Sequence, residues 1–135
     1  MSPDRCLLDT SALLTLIEDE AGADRVEQVL RQTEVWLPWL VLLECSYITR
    51  QEQGEAEADL RYAMIKQLPL TILWTMDEPT LLTAARLKAT YRLSLADAII
   101  AAFAIQQNAI LLHKDPDFEV LTGQVLLEAL PYKKS

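Results

Sequence analysis

Short apolar runs alternate with longer amphipathic segments along almost all of the 135-residue chain. The segments between the apolar runs have helical spacing, and several end at a glycine or a proline. Short strands that alternate with helices predict an α/β fold with a central, mostly parallel sheet of four or five strands flanked by helices. The runs expected to form strands are Cys6–Leu8, Glu34–Leu37, Thr71–Trp74, Ala109–Leu112 and Val125–Leu127.

Capping residues define the expected helices. Gly54 suits the end of one helix, Pro79 the first turn of another, and Ser94 the N-cap of the last. By its length the chain is one domain, residues 1–130, followed by a short, loose basic tail, residues 131–135. The expected helices are Ala12–Glu18, Ala23–Gln32, Trp39–Gln53, Glu55–Leu68, Pro79 to about Tyr91, and Leu95–Gln107.

The composition excludes several classes of protein. Half of the residues are hydrophobic (51%), which excludes a disordered chain, and the apolar stretches Trp39–Leu43 and Ala98–Ile105 are too short to span a bilayer. The first five residues lead directly into an apolar run without the architecture of a signal peptide. Cys6 and Cys45 lie in apolar runs, as reduced core residues do. We therefore expect a cytoplasmic protein with no membrane association.

The net charge of −8 constrains the partners. It argues against nonspecific binding of nucleic acid through a broad basic face. It is compatible with a nuclease that approaches phosphates through bound cations and a few local bases, and with a basic protein partner.

Four acidic residues lie inside or directly after apolar runs: Asp9, Glu44, Asp97 and Asp115. A carboxylate in such a place is costly unless it is paired, hydrogen-bonded or bound to a metal. Asp9 and Asp115 follow predicted strands, and the carboxyl ends of parallel strands share one edge of the sheet. The sequence therefore predicts an acidic pocket for a divalent cation, and an all-oxygen ligand set favours Mg²⁺, with Mn²⁺ as a substitute.

Each acid also has a structural alternative. Asp9 can begin the first helix together with Thr10 and Ser11. Glu44 can form a buried ion pair with an arginine, although its neighbours one helical turn away offer no base.

Two further alternatives concern the second half of the chain. The sequence from Ser94 to Asp97 has the spacing of a capping box, so Asp97 can simply satisfy the end of a helix. Asp115 precedes Pro116 and can begin a turn, with Asp117 as a second cap. Taken together, these alternatives leave Glu44 and the shared sheet edge unexplained, which favours one common pocket.

Other kinds of catalytic site lack the necessary residues. The single histidine, His113, stands beside Asp115 without a nucleophilic serine or cysteine in a known motif. The chain has no glycine-rich phosphate loop, and its histidines and cysteines are too few for structural zinc.

The four acidic motifs resemble those of the PIN-domain family, and most closely VapC-type toxins of bacterial toxin–antitoxin pairs. The likeness covers nearly the whole chain in the right order, and the four motifs together are specific. The matching segments are Leu8-Asp9-Thr10-Ser11-Ala12-Leu13-Leu14, Leu37-Pro38 through Leu43-Glu44, Ser94-Leu95-Ala96-Asp97-Ala98 and Leu111-Leu112-His113-Lys114-Asp115-Pro116-Asp117-Phe118.

The resemblance implies a PIN-like, Rossmann-like three-layer fold and a Mg²⁺-dependent endoribonuclease that cleaves phosphodiesters with a metal-activated water. It implies homodimers and inhibition by a cognate antitoxin whose C-terminal segment covers the site. Apolar residues around Trp36, Trp39 and Tyr47 are candidates for these protein contacts. The four acids, which we call the acidic quartet, would be catalytic and metal-binding: Asp9, Glu44, Asp97 and Asp115. The peripheral site residues would be Thr10, Ser11, His113 and Asp117.

One position departs from the family. His113 stands where the family often has Thr or Ser, whose hydroxyl steadies the metal-binding acids. The imidazole can instead donate a hydrogen bond to Asp9 or Asp115, or it can weaken the metal site.

Nearby bases are candidates for contacts with the RNA backbone, and their alternative is a solvated helix surface. These bases are Arg86, Lys88, Arg92 and Lys114.

Two rival functions use the same residues. A PIN-like scaffold that has lost activity can serve as a protein-interaction module, which the intact quartet argues against. A phosphoacceptor receiver domain also needs acids and Mg²⁺ at strand ends, but it usually carries paired acids after its first strand, where this chain has one.

Overall fold

Strands and helices alternate along residues 5–134, the part of the chain that this computed structural model describes. The strands are β1 (Arg5–Leu8), β2 (Glu34–Pro38), β3 (Thr71–Leu73), β4 (Ile110–His113) and β5 (Leu127–Ala129). The helices are α1 (Thr10–Ile17), α2 (Ala23–Gln32), α3 (Trp39–Gln53), α4 (Glu55–Lys66), α5 (Glu78–Thr90) and α6 (Leu95–Gln107), with a 3₁₀ helix at Pro116–Leu121.

The strands form one five-stranded sheet in the order β3-β2-β1-β4-β5, and every neighbouring pair is parallel. The central strand β1 is buried from Cys6 to Leu8, with Leu7 opposite Trp36 of β2 and Leu111 of β4. With this strand order, the general preference for right-handed crossovers between parallel strands implies that α1 to α4 lie on one face of the sheet and α5 and α6 on the other. The predicted α/β fold with helices flanking a parallel sheet is confirmed.

Several element boundaries differ from the sequence prediction by one or two residues, and two of these differences have an identifiable reason. The last strand begins at Leu127 rather than at Val125, because the Val125 amide donates to the Leu121 carbonyl and the chain is still turning there. The first helix begins at Thr10, because Asp9 is its N-cap and accepts a hydrogen bond from the backbone N–H of Ala12. The Thr10 and Ser11 hydroxyls lie in this first turn and reach acidic side chains.

The C-terminal segment, residues 130–134, contacts the rest of the domain through three of its residues, and the division of the chain into a domain and a basic tail stays a prediction. The Leu130 amide donates to the His113 carbonyl at 2.7 Å, and the Tyr132 hydroxyl donates to Glu119 at 2.6 Å. Lys133 forms an ion pair with Glu20 at 3.0 Å. Ser135, the remainder of the predicted tail, lies outside the described residues.

A glycine allows this segment to approach the turn between α1 and α2. Gly22 has a φ of +104°, and a Cβ at this position would lie 3.2 Å from atoms of both Leu130 and Pro131. A side chain would be strained by the backbone conformation and would push the segment away.

The core lies on both faces of β1 and β4. Cys6 and Cys45 are buried free thiols, as their apolar surroundings predict. None of the helices in the described range, residues 5–134, has the length and apolarity needed to cross a membrane.

Candidate metal centre at the carboxyl edge of the sheet

The parallel sheet brings the carboxyl ends of its strands to one edge, and the acidic residues lie along that edge. Asp9 follows β1, Glu44 lies on the helix that follows β2, and Asp115 follows β4. Asp97 lies in the first turn of α6, which packs on β1 and β4. In addition to burial, the largest cause, the charges of Asp97 and Asp115 raise the pKa of Asp9, and those of Asp115 and Glu44 raise the pKa of Asp97. The four predicted carboxylates therefore act on one another within a single region.

Asp9 is the most enclosed member of this region, with 3% of its surface exposed. Its Oδ1 accepts the N–H of Ala12 at 2.8 Å, and the Ser11 hydroxyl lies 2.8 and 2.7 Å from its two oxygens. Burial is the largest influence on the side chain and raises its pKa to about 7, against the lowering effect of these hydrogen bonds. Asp9 thus caps α1, as the structural alternative proposed, and also faces the other acids.

Glu44 is held by a hydroxyl. The Thr10 Oγ1 donates to the Glu44 Oε1 at 2.6 Å, which joins α3 to the first turn of α1. Within residues 5–134 no arginine pairs with Glu44, so the alternative of a Glu–Arg pair is wrong.

Three carboxylates form a tighter set, which we call the close acid group: Asp97, Asp115 and Asp117. One oxygen from each lies within 4.8 Å of the others. Burial, followed by the charges of Asp115 and Glu44, raises the pKa of Asp97 to about 6. Asp117 is exposed, but it lies within this group rather than at its periphery. It is not the cap of the following turn, because Asp115 fills that position and accepts the Asp117 amide at 2.9 Å.

The capping box at the start of α6 is only half formed. The Ser94 hydroxyl accepts the N–H of Asp97 at 3.1 Å, so Ser94 caps the helix as predicted. Within the described chain, the Asp97 carboxylate accepts no hydrogen bond from the Ser94 amide, which the complete motif requires. The carboxylate is left to face Asp115 instead.

In the described part of the chain, the acids have no internal counter-charge. Within residues 5–134, none of these five carboxylates forms an ion pair with a lysine, arginine or histidine. Burial, and after it the like charges of neighbouring acids, disfavours full ionisation and raises the pKa of Asp9 and of Asp97. Oxygens on one Mg²⁺ lie at most about 4.2 Å apart, since each Mg–O distance is about 2.1 Å. The close acid group therefore fits a hard divalent cation after a small movement of its side chains.

His113 does not act as a donor to an acid, as the sequence suggested it could. Its Nδ1 accepts the backbone N–H of Asp115 at 3.2 Å. Burial lowers the pKa of His113, which keeps the ring neutral and its Nδ1 lone pair available. The ring touches the acid site through the main chain of Asp115 and not through a carboxylate.

The four predicted RNA-contact bases differ in their surroundings. Lys114 is buried, and its Nζ donates to the Ala21 carbonyl at 2.7 Å, so it ties β4 to the turn after α1 rather than facing solvent. Arg86 and Lys88 are exposed on α5. Arg92 is exposed beyond the end of that helix, which stops at Thr90. Contacts between these exposed bases and RNA stay a prediction.

Ser11 has a role beyond the peripheral one that the sequence indicated. Its hydroxyl donates to Asp9 and accepts the backbone N–H of Lys114 at 2.8 Å, so it links β4 to the buried acid. The sequence signal for this role is the position of Ser11, a hydroxyl-bearing residue two positions after the aspartate that caps the helix. The approach of Tyr132 to His113, with ring centroids 6.1 Å apart, has no local signal because 19 positions separate the two residues.

The structure thus combines a parallel sheet with a group of carboxylates at its carboxyl edge. The chain belongs to the PIN domain family, whose model matches residues 6–123. No curated protein sequence matches the chain.

Solved structures of toxin–antitoxin proteins share the fold. A chain of the VapBC2 complex from Rickettsia felis, bound to a promoter DNA fragment, is 16% identical, with a TM-score of 0.78 and coverage of 94% of this chain and 99% of that chain. A chain of VapBC-1 from nontypeable Haemophilus influenzae is 19% identical, with a TM-score of 0.73 and coverage of 93% and 97%. The Mycobacterium tuberculosis toxin VapC20, described as cleaving the sarcin–ricin loop, is 16% identical, with a TM-score of 0.71 and coverage of 93% and 99%.

Proposed function

We propose that this protein is a Mg²⁺-dependent endoribonuclease and the toxin of a toxin–antitoxin pair, acting in the cytoplasm. The observation that carries the proposal is the close acid group at the carboxyl edge of a PIN domain sheet, with Asp9 and Glu44 near it and no basic partner in the described chain. Support for the RNA substrate comes from the structural neighbour that is described as cleaving the sarcin–ricin loop.

The residues divide into cation ligands and the groups that orient them. Asp97, Asp115 and Asp117 offer oxygens close enough to share one cation, and Asp9 and Glu44 face the same region. Ser11 fixes both oxygens of Asp9, and Thr10 fixes one oxygen of Glu44. The second oxygen of Glu44 remains available for a cation or a water.

Held by these acids, a Mg²⁺ ion would make a water more acidic for attack on the phosphorus and would offset negative charge on the departing oxygen. The protein's own part is to fix the ligands and to keep basic side chains out of the pocket. Unneutralised, the acids would repel an RNA phosphate, so substrate binding and chemistry depend on the same cation. Arg86, Lys88 and Arg92 are the exposed bases proposed to meet the RNA backbone.

The activity is tested with purified wild type and two matched variants, Asp97→Asn and Asp77→Asn. Asp97 belongs to the close acid group, whereas Asp77 caps α5 through Thr80. An asparagine also caps helices well, so the control variant keeps its fold. We expect wild type and Asp77→Asn to cleave RNA with Mg²⁺ and not with EDTA. We expect Asp97→Asn to be at least about 100-fold slower, since loss of even an outer-shell partner of a metal costs about 10–100-fold.

Two results would contradict the proposal. Equal cleavage by wild type and Asp97→Asn would identify a contaminating ribonuclease. No cleavage of any RNA by a folded wild-type protein that binds its antitoxin would favour the inactive interaction module.

We propose in addition that the chain forms a homodimer and binds an antitoxin through exposed apolar surface. The antitoxin partner is supported by neighbours that are toxin–antitoxin complexes. On this chain, a cleft of about 410 Å³ opens between α3, α4 and the end of β3. Tyr47 is 44% exposed on α3, whereas Trp36 is half-buried under Arg5. The cleft is lined by Trp39, Leu42, Leu43, Ser46, Tyr62 and Trp74.

A pair of leucines tests whether this cleft is a protein interface. Leu43 lines it and is 51% exposed, whereas Leu60 on α4 is 54% exposed and does not line it. We expect Leu43→Glu to weaken self-association or antitoxin binding by at least about tenfold, and Leu60→Glu to change neither, because a buried unpaired charge is costly. Sedimentation of each variant, alone and with the antitoxin, gives the answer. Wild-type protein that stays monomeric and binds no antitoxin would contradict the proposal.

A further inference from the structure

His113 lies where three elements meet beside the close acid group. It is 1% exposed, and its ring packs against Phe118 of the 3₁₀ helix and Tyr132 of the C-terminal segment, with centroids 5.2 and 6.1 Å away. Its carbonyl accepts the Leu130 amide at 2.7 Å. The ring is therefore held on two sides and cannot turn freely.

The fixed ring presents one nitrogen to the main chain of Asp115. The Nδ1 of His113 accepts the Asp115 N–H at 3.2 Å. On the other side of the same residue, the Asp115 carbonyl accepts the Phe118 amide at 3.1 Å, and its Oδ1 accepts the Asp117 amide at 2.9 Å. With both its peptide groups bonded, Asp115 has little freedom except at the side chain that joins the close acid group.

We propose that His113 is a positioning residue, whose imidazole accepts the Asp115 amide through Nδ1 and so fixes the Asp115 carboxylate within the close acid group. The proposal rests on the proposed function for the identity of the bound group, a divalent cation. It adds a role for the position at which this chain departs from the family pattern.

The hydrogen bond itself defines what the ring contributes. An imidazole that accepts through Nδ1 carries its proton on Nε2, so only one of its two nitrogens can serve the Asp115 amide. An amide that loses its acceptor in this half-buried turn needs another partner, and reaching water or another acceptor rearranges the backbone. Since Asp115 shares the close acid group with Asp97 and Asp117, such a rearrangement would separate the ligand oxygens.

Three variants separate positioning from packing. In His113→Asn, the side-chain oxygen takes the place of Nδ1, so the acceptor is kept and the ring volume is lost. In His113→Gln, the acceptor lies one bond farther out, nearer the place of Nε2. In His113→Leu, the apolar volume is largely kept and there is no acceptor.

The measurement is the dissociation constant for Mn²⁺, together with the melting temperature without metal. We expect His113→Asn to stay within about threefold of wild type in affinity, and His113→Gln and His113→Leu to be at least about tenfold weaker. We expect His113→Asn to melt at a lower temperature than His113→Leu, because the asparagine leaves a space beside Phe118. The order of the two variants in melting temperature is then opposite to their order in affinity. A packing role alone would make the affinities follow the melting temperatures, and that result would overturn the proposal. So would equal affinity in all four proteins.

Amide hydrogen exchange keeps this test separate from the proposed function. The Asp115 N–H should be protected in wild type and in His113→Asn, and should exchange at least about tenfold faster in the other two variants. If wild type bound no Mn²⁺ but showed this pattern, the metal function would fail and the positioning of Asp115 would stand. Equal exchange in all four proteins would overturn the positioning role, whatever the metal result.

Discussion

The two sides of the acid pocket are held in different ways. On the β1 side, Asp9 is 3% exposed and accepts hydrogen bonds from Ser11 and Ala12. On the side formed by α6 and the turn after β4, Asp97 and Asp115 are half-buried, Asp117 is exposed, and their oxygens gather within 4.8 Å. Burial is the largest cause of the raised pKa of both Asp9 and Asp97, but the next influence differs: hydrogen bonds lower the pKa of Asp9, whereas the charges of neighbouring acids raise that of Asp97. The difference implies that Asp9 is already oriented as a ligand without a metal, whereas the close acid group needs a bound cation to bring its oxygens together.

The largest expected effect is the pH dependence of the free energy of unfolding that the buried Asp9 causes. The pKa of Asp9 is raised from 3.8 to about 7, so the metal-free native state keeps a proton that the unfolded state releases. The resulting stabilisation is fully present below about pH 3.8 and is lost as the pH rises through 7. Asp9→Asn never ionises, so the free energy of unfolding of wild type relative to this variant should fall by about 4 kcal/mol between pH 4 and pH 8. Urea unfolding in EDTA measures it. If the difference in the free energy of unfolding between wild type and Asp9→Asn did not change with pH, the pKa of Asp9 would not be raised by burial.

The next effect distinguishes two members of the close acid group. Asp97→Asn should weaken Mg²⁺ binding at least about 100-fold, whereas Asp117→Asn should weaken it about tenfold, because water can replace an exposed ligand of Mg²⁺. Without metal, Asp97→Asn should be as stable as wild type or more stable, since it removes a repelled carboxylate. Calorimetric titration and thermal melts give both quantities. An unchanged affinity for Mg²⁺ in Asp97→Asn would mean that Asp97 serves only the start of α6.

A smaller effect is expected from the hydroxyl that orients Glu44. Thr10→Val keeps the shape of the side chain but removes its 2.6 Å hydrogen bond to Glu44. Cleavage should slow by about 10–100-fold, the usual cost of losing a partner of a metal ligand. Thr33→Val is the matched control, because the Thr33 hydroxyl donates to the Val29 carbonyl, away from the acid pocket. If both variants had the same activity, Thr10 would have no part in orienting Glu44.

The smallest effect concerns the exposed ion pair between Arg25 on α2 and Glu128 on β5. Arg25 donates to both oxygens of Glu128 at 2.7 and 2.9 Å, and their side chains are 43% and 32% exposed. Arg25→Ala should cost at most about 1 kcal/mol of stability and leave RNA cleavage unchanged, because solvent screens such pairs. A loss of activity in this variant would extend the site well beyond the carboxyl edge of the sheet.

The fold was predictable from the sequence because its signals were local. The strand at Cys6–Leu8, the N-cap at Ser94 and the helix end at Gly54 all follow from short patterns, and the structure has each of them. The gathering of acids was predictable because parallel strands share an edge. The last strand was misplaced by two residues, because Val125 is apolar but still belongs to the preceding turn.

The finer features of the site depend on contacts between distant parts of the chain. Tyr132 packs on His113, and the buried base Lys114 donates to the Ala21 carbonyl. Neither contact has a sequence pattern, because each depends on where the C-terminal segment and the turn after α1 meet β4. Asp117 belongs to the close acid group because the 3₁₀ turn that Asp115 caps brings the two side chains to the same side.

Anomalous diffraction from crystals soaked in Mn²⁺ tests the central claim most directly, because it locates the cation among the carboxylates. We expect a peak between Asp97, Asp115 and Asp117, on the side that faces Asp9 and Glu44, and loss of that peak in Asp97→Asn. A fully occupied Mn²⁺ elsewhere on the protein, with the close acid group empty at saturating metal, would contradict the claim.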